Sequence, residues 1–109
     1  MQFNYGDTKL IFYGVGIDGD IRGVFYFEEY KILKPENEIV IDIGASIGDS
    51  AIYFALNRAK HVIALEPYLS TFNLAVQNIK VNNLYQNTIA EIIIIFININ
   101  CYYNFRRLG

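Results

Sequence analysis

The chain contains no tryptophan, one cysteine, one histidine and two prolines among 109 residues. A single cysteine, Cys101, excludes an internal disulfide framework and a cysteine-based zinc site, so no metal is expected. It also makes a reducing, cytoplasmic setting the default. A basic excess is lacking as well: 9 Lys+Arg stand against 11 Asp+Glu, for a net charge of -2. Nucleic-acid binders of this size usually carry a basic surface, so no nucleic-acid partner is expected. Long apolar runs are missing. The most apolar window, Ile92 to Ile97, is closed by Glu91 and Asn98, far short of the ~20 residues that span a bilayer. It reads as a buried strand, and no membrane partner is expected. Met1 to Gly6 lacks the basic start and apolar core of a signal peptide. With 53% hydrophobic and 18% charged residues the chain is not disordered. Its length is below the ~150 residues of an average domain, so a two-domain enzyme is not expected.

What is present is patterned. Lys9 to Tyr13 and Ile21 to Glu28 are aromatic and branched runs, with Asp18-Gly19 between them. Asp-Gly between apolar runs predicts a hairpin turn, and the Tyr and Phe residues of these runs are expected in a core. Glu29 to Leu33 reads as a short helical connection halted at Pro35. Ile39 to Ile43 is a short, nearly continuous apolar run, as in a strand buried on both faces of a parallel sheet. Ser50 to Arg58 reads as helix, His61 to Leu65 as strand, and Leu69, Phe72, Val76 and Ile79 recur at helical spacing. That helix ends near Asn82-Asn83, and Ile89 to Ile99 is a third strand. The expected fold is therefore α/β: an N-terminal β-hairpin and connector over residues 1–34, then a β-α-β-α-β unit over 35–109. Alternating short strands and amphipathic helices imply a Rossmann-like, doubly wound parallel sheet covered by helices.

The chemistry concentrates at Val40 to Ser50, where a strand hands over to a helix. Ligands of such sheets bind at the carboxyl ends of strands. Gly44 and Gly48 let the backbone turn sharply and approach a ligand, Ala45 and Ser46 are small, and the helix start offers free N–H groups. A dinucleotide loop has the pattern G-x-G-x-x-G and receives a pyrophosphate. Gly44-Ala45-Ser46 lacks the second glycine, and Asp42 places a carboxylate where it would repel a pyrophosphate. It favours a ligand with a cationic group, such as S-adenosylmethionine, which carries an ammonium and a sulfonium. Glu66, at the end of the next strand, is placed to accept hydrogen bonds from ribose hydroxyls. Dinucleotide folds use an acid ~20 residues on for the same task, so Glu66 alone does not separate the two ligands.

Residues 39–84 resemble the first half of a class I S-adenosylmethionine-dependent methyltransferase, and within it the FkbM-type family. The resemblance is carried by Ile41-Asp42-Ile43-Gly44-Ala45-Ser46-Ile47-Gly48-Asp49-Ser50, by Ala64-Leu65-Glu66-Pro67 and by Asn78-Ile79-Lys80-Val81-Asn82-Asn83-Leu84. Gly23 to Tyr30 resembles the segment that leads into such a domain, so the match covers about residues 20–88. It implies S-adenosyl-L-methionine as cofactor and methylation of a hydroxyl oxygen on a sugar, glycan or small molecule. Asp42, Gly44, Ala45, Ser46 and Gly48 would line the methionine end of the cofactor, and Glu66 would hold its ribose. Asp49 and Ser50 would cap the first helix. The portion that places adenine and substrate contacts in the family has no counterpart here, so no catalytic residue is assigned.

Two other functions stay open on the sequence: a truncated, inactive remnant of such an enzyme, and a nicotinamide-dependent oxidoreductase domain. Other residues have plainer readings. A turn explains Asp18-Gly19-Asp20 without a metal. His61 starts a strand at the end away from the site, which argues against a general base. Cys101 lacks a nearby histidine partner, and Arg106-Arg107 reads as a solvated tail. An exposed edge strand at Ile92 to Ile99 would invite self-association.

Overall fold

The computed structural model describes residues 1–16, 19–82 and 91–96. A hairpin opens the chain, in different residues from those expected. Strand β1 (Gln2–Tyr5) pairs antiparallel with β2 (Thr8–Ile11), with Tyr5 opposite Thr8. Gly6-Asp7 is thus a two-residue turn, and Gly6 takes φ +58°, the positive dihedral that such tight turns require of their first residue. The run taken for the second strand is instead a single π-type helical turn, Arg22–Tyr26. Its buried residues explain why: Ile21, Val24 and Phe25 are buried while Tyr26 and Phe27 are exposed. That spacing is helical, and the aromatic content had masked it. Asp18 lies outside the described residues. A 3₁₀ turn at Lys31–Leu33 follows, as expected ahead of Pro35, and ends at Lys34 with φ 48°.

The α/β unit forms as the sequence implies. Strands β3 (Ile39–Ile43), β4 (His61–Glu66) and β5 (Glu91–Phe96) make a parallel sheet in the order β3-β4-β5. Helix α1 (Asp49–Leu56) joins the first two strands, and α2 (Leu69–Val81) follows β4. In register, Ile41 lies beside Ile63 and Ile63 beside Ile93.

Among the described residues the sheet carries helices on one face only. Val62, Ala64 and Ile92 are buried toward the helices, whereas Ile39, Ile41, Ile43, Ile93 and Ile95 are exposed. The strand order advances in one direction, and right-handed crossovers then set both helices on the same side. Among the described residues nothing covers the other side, so β3 alternates in burial where a doubly buried strand was expected.

The hairpin and α1 share one buried cluster. Phe25 is its hub, with ring centroids 5.4 Å from Phe3, 5.2 Å from Tyr5, 5.6 Å from Phe12 and 5.9 Å from Tyr53. Tyr5 donates its hydroxyl to Glu28 Oε1 at 2.8 Å, fastening the hairpin to the segment after the helical turn. These contacts hold residues 19–30 against the start of α1, where the candidate site lies. No helix among the described residues is long and apolar enough to cross a membrane.

Candidate functional site

The loop after β3 is shaped by backbone. The N–H groups of Gly44 and Ala45 both donate to the Leu65 carbonyl, at 2.8 and 2.9 Å, so β4 holds the loop's entry. The Gly48 N–H donates to the Ala45 carbonyl at 2.9 Å and closes the turn. Three residues have positive φ: Gly44 at +80°, Ser46 at +53° and Gly48 at +89°. The two glycines serve different ends. A Cβ on Gly44 would meet nothing within 4 Å, so this glycine leaves open space beside the loop. A Cβ on Gly48 would sit 3.3 Å from the Ala75 Cα and Cβ, so this glycine permits close packing of α1 on α2.

Gly44, Ser46, Asp49 and Ser50 form one wall of a cavity of about 270 Å³; Gly19, Asp20, Val24, Glu29 and Tyr30 form the other. Small-molecule sites are typically ~300–1,000 Å³, so this cavity accounts for part of a ligand. Three carboxylates line it and no basic residue does. Ser46 Oγ is buried without a hydrogen-bond partner, alone in this among the described residues that are not exposed. A hydroxyl in that state forfeits hydrogen-bond energy unless a ligand or water supplies the partner.

The carboxylates behind this wall are tightly arranged. Ser50 donates its hydroxyl to Asp42 Oδ2 at 2.6 Å. Burial pushes the Asp42 carboxyl above its ordinary 3.8; the Ser50 hydrogen bond opposes this, and the charges of Asp49 and Glu66 add to it. Asp42 therefore sits in a field that a cation would relieve. Glu66 is buried at the end of β4, and its Oε1 accepts the Tyr68 N–H at 3.2 Å. Asp49 and Ser50 do not cap α1 as expected. The cap position is Gly48 and no side chain closes it, because Ser50 is turned to Asp42 and Asp49 Oδ2 accepts the Asp20 N–H at 2.7 Å.

The second wall comes from residues outside the expected site. Asp20 accepts the Gly23 N–H on Oδ1 at 3.0 Å and the Val24 N–H on its carbonyl at 3.0 Å, so it starts the helical turn. An Asp ahead of the helically spaced Ile21, Val24 and Phe25 is a helix-start signal that could have found it. Asn78 and Asn82, noted only as part of a resemblance, prove to be clamps. Asn78 Oδ1 accepts the Tyr13 N–H at 2.7 Å, and its Nδ2 donates to the carbonyls of Tyr13 at 3.0 Å and Ile47 at 2.8 Å. Asn82 holds Ile11 in the same manner, at 2.9 Å to the N–H and 2.8 Å to the carbonyl. His61 begins β4, at the sheet end away from the loop. Cys101, Arg106 and Arg107 lie outside the described residues, which contain no cluster of side chains able to hold a metal ion.

No protein-family model matches the chain, and no curated protein matches it in sequence. Solved structures do. M. jannaschii TYW2 in complex with AdoMet is 22% identical with a TM-score of 0.64, over 89% of this chain and 42% of that one. Arabidopsis thaliana protein arginine methyltransferase 10 is 26% identical with a TM-score of 0.52, over 70% of this chain and 19% of that one. The Pyrococcus abyssi tRNA (uracil-54, C5)-methyltransferase, in complex with S-adenosyl-L-homocysteine, is 16% identical with a TM-score of 0.55, over 87% and 23%. The chain spans less than half the length of each. The shared fold is the Rossmann-like sheet that the sequence implied.

Proposed function

We propose that this chain is the cofactor-gripping part of a class I S-adenosylmethionine-dependent methyltransferase of the FkbM type. On this reading residues 35–109 belong to the cofactor domain and residues 1–34 are its N-terminal hairpin and connector, in a cytoplasmic protein. The observation that carries the reading is the acid-lined cavity at the carboxyl end of β3, with the unpartnered Ser46 hydroxyl in its wall. Carboxylates repel a pyrophosphate and attract a cation, which favours S-adenosylmethionine over a nicotinamide dinucleotide. Structural neighbours that hold AdoMet or S-adenosyl-L-homocysteine support it.

The residues divide the task. Gly44 keeps the floor open, Ala45 and Gly48 fix the turn, and Ser46 offers an unused hydroxyl. Asp42, raised by burial, is eased by a neighbouring positive charge. Glu66, oriented by the Tyr68 N–H, presents a carboxylate to a ribose. When bound, the cofactor supplies an electrophilic methyl group on a sulfonium. The chain's own contribution is to hold the methionine end rigidly and exclude water, the positioning route to rate. The acceptor on this reading is a hydroxyl of a sugar or small molecule, and no residue here is assigned as its base. Among the described residues one apolar sheet face is uncovered and β5 lies at the sheet edge, which on this reading adds a tendency to self-associate.

A thermal-shift titration with S-adenosyl-L-homocysteine tests the reading. At about 100 Kd a ligand stabilises a fold by ~2.7 kcal/mol, which for a chain of this size raises Tm by more than about 10 °C. Asp42→Ala and Glu66→Ala should abolish the shift. A folded wild-type chain that shows none contradicts the proposal. A chain that binds but transfers no methyl group to hydroxyl acceptors contradicts the O-methylation reading.

A further inference from the structure

We propose that Asn78 is a positioning residue for the cofactor loop, setting the loop's shape from inside α2 without touching ligand. The inference rests on the methyltransferase reading above. Asn78 is fully buried, with 0% of its surface exposed. Its carboxamide is fully engaged and ties α2 to two segments far from it in sequence: the chain leaving β2 at Tyr13 and the glycine loop at Ile47. Burying an amide costs free energy unless every polar atom is paired, and a leucine would fill similar space without that condition. Two donors and an acceptor in one plane are what this position uses, and among side chains of this length only Asn supplies them.

The loop needs such an anchor. Ile47 lies between Ser46 at φ +53° and Gly48 at φ +89°. A non-glycine residue at positive φ persists only where its surroundings over-determine it. The loop's entry is held by the Leu65 carbonyl, and its turn is closed by the Gly48 N–H to Ala45. The 2.8 Å bond from Asn78 fixes the peptide between Ile47 and Gly48, one residue beyond Ser46. Rotating that peptide would move Ser46 and the start of α1 together.

Asn82 provides an internal control. One turn along the same helix, it clamps Ile11 by the same pair of bonds and does not reach the loop. Asn78→Asp keeps an acceptor for the Tyr13 N–H but turns a carboxylate oxygen toward the Ile47 carbonyl. Asn82→Asp makes the same change on the hairpin side alone.

Affinities for S-adenosyl-L-homocysteine and for adenosine should be measured by calorimetry on wild type and both variants. Adenosine lacks the methionine end, so the ratio of the two affinities cancels any loss of folded protein. In Asn78→Asp the homocysteine ligand should weaken about tenfold, the scale of an unmade buried hydrogen bond, while adenosine changes less than about twofold. In Asn82→Asp the ratio should stay at the wild-type value. A folded Asn78→Asp with an unchanged ratio overturns the inference and leaves the methyltransferase reading intact. Wild type that binds neither ligand overturns both. If Asn78→Asp does not fold, wild-type nitrogen-15 spectra decide. The Asn78 side-chain NH₂ signals should move on saturation with S-adenosyl-L-homocysteine and stay put with adenosine, and a static Asn78 pair overturns the inference.

Discussion

Gly44 and Gly48 share a positive φ, yet replacing each with alanine should have different consequences. Both variants incur the cost of a left-handed L-residue, about 1–2 kcal/mol. At Gly44 the new methyl meets nothing within 4 Å, so the loss of stability should stop there. At Gly48 the methyl meets the Ala75 backbone at 3.3 Å, and α1 and α2 must separate slightly to admit it. Overpacking of that kind adds about 1–3 kcal/mol, for a total near 2–5 kcal/mol. Ligand binding should rank the pair the other way. The Gly44 methyl projects into open space beside the cavity wall, so folded Gly44→Ala should lose S-adenosyl-L-homocysteine affinity out of proportion to its stability. Urea unfolding gives the first quantity and calorimetric titration of the folded protein the second. Equal stability losses, or a Gly44→Ala protein with wild-type affinity, would refute the assignment of one glycine to the ligand and the other to packing.

Other expectations follow from the same contacts. Asp42 has its carboxyl raised, so its ionised form costs the fold stability above that raised value. As pH falls through it the cost is relieved, and the stability gap between Asp42→Asn and wild type should narrow, as Tm measured against pH would reveal. Affinity for the cationic cofactor should fall over the same interval, because the protonated carboxyl no longer attracts the ligand. Phe25→Ala should cost about 3–5 kcal/mol in urea unfolding, whereas Ile32→Ala, 83% exposed, should stay within about 0.5 kcal/mol. On the bare sheet face, Ile41→Lys combined with Ile93→Lys should lower the sedimentation-average mass at high concentration with little change in Tm. An unchanged mass would remove that face as the source of association.

The β-α-β-α-β order was legible because each element has a period of its own and the glycine loop falls between two of them. Asp42, Gly44 and Glu66 could be placed at strand ends for the same reason. The winding was not legible, because an apolar run such as Ile39 to Ile43 looks the same whether one face or two are covered, and strand order decides which. The hairpin was misplaced because Asp18-Gly19 and Gly6-Asp7 are both turn signals, and the buried trio Ile21, Val24 and Phe25 sat within a run of β-favouring aromatics. Asp20 carried a local helix-start signal, but its place across from the glycine loop did not. That place depends on Asp20 reaching Asp49, a contact 29 residues apart that no local pattern encodes. The roles of Asn78 and Asn82 were hidden likewise, since their partners lie 65 and 71 residues away.

On the methyltransferase proposal, the loop between β3 and α1 grips a cationic adenosyl cofactor rather than a dinucleotide. Calorimetric titration of the wild-type chain with S-adenosylmethionine and, separately, with NADH tests it directly. The expected result is one S-adenosylmethionine bound per chain and no heat with NADH. NADH binding without S-adenosylmethionine binding would contradict it.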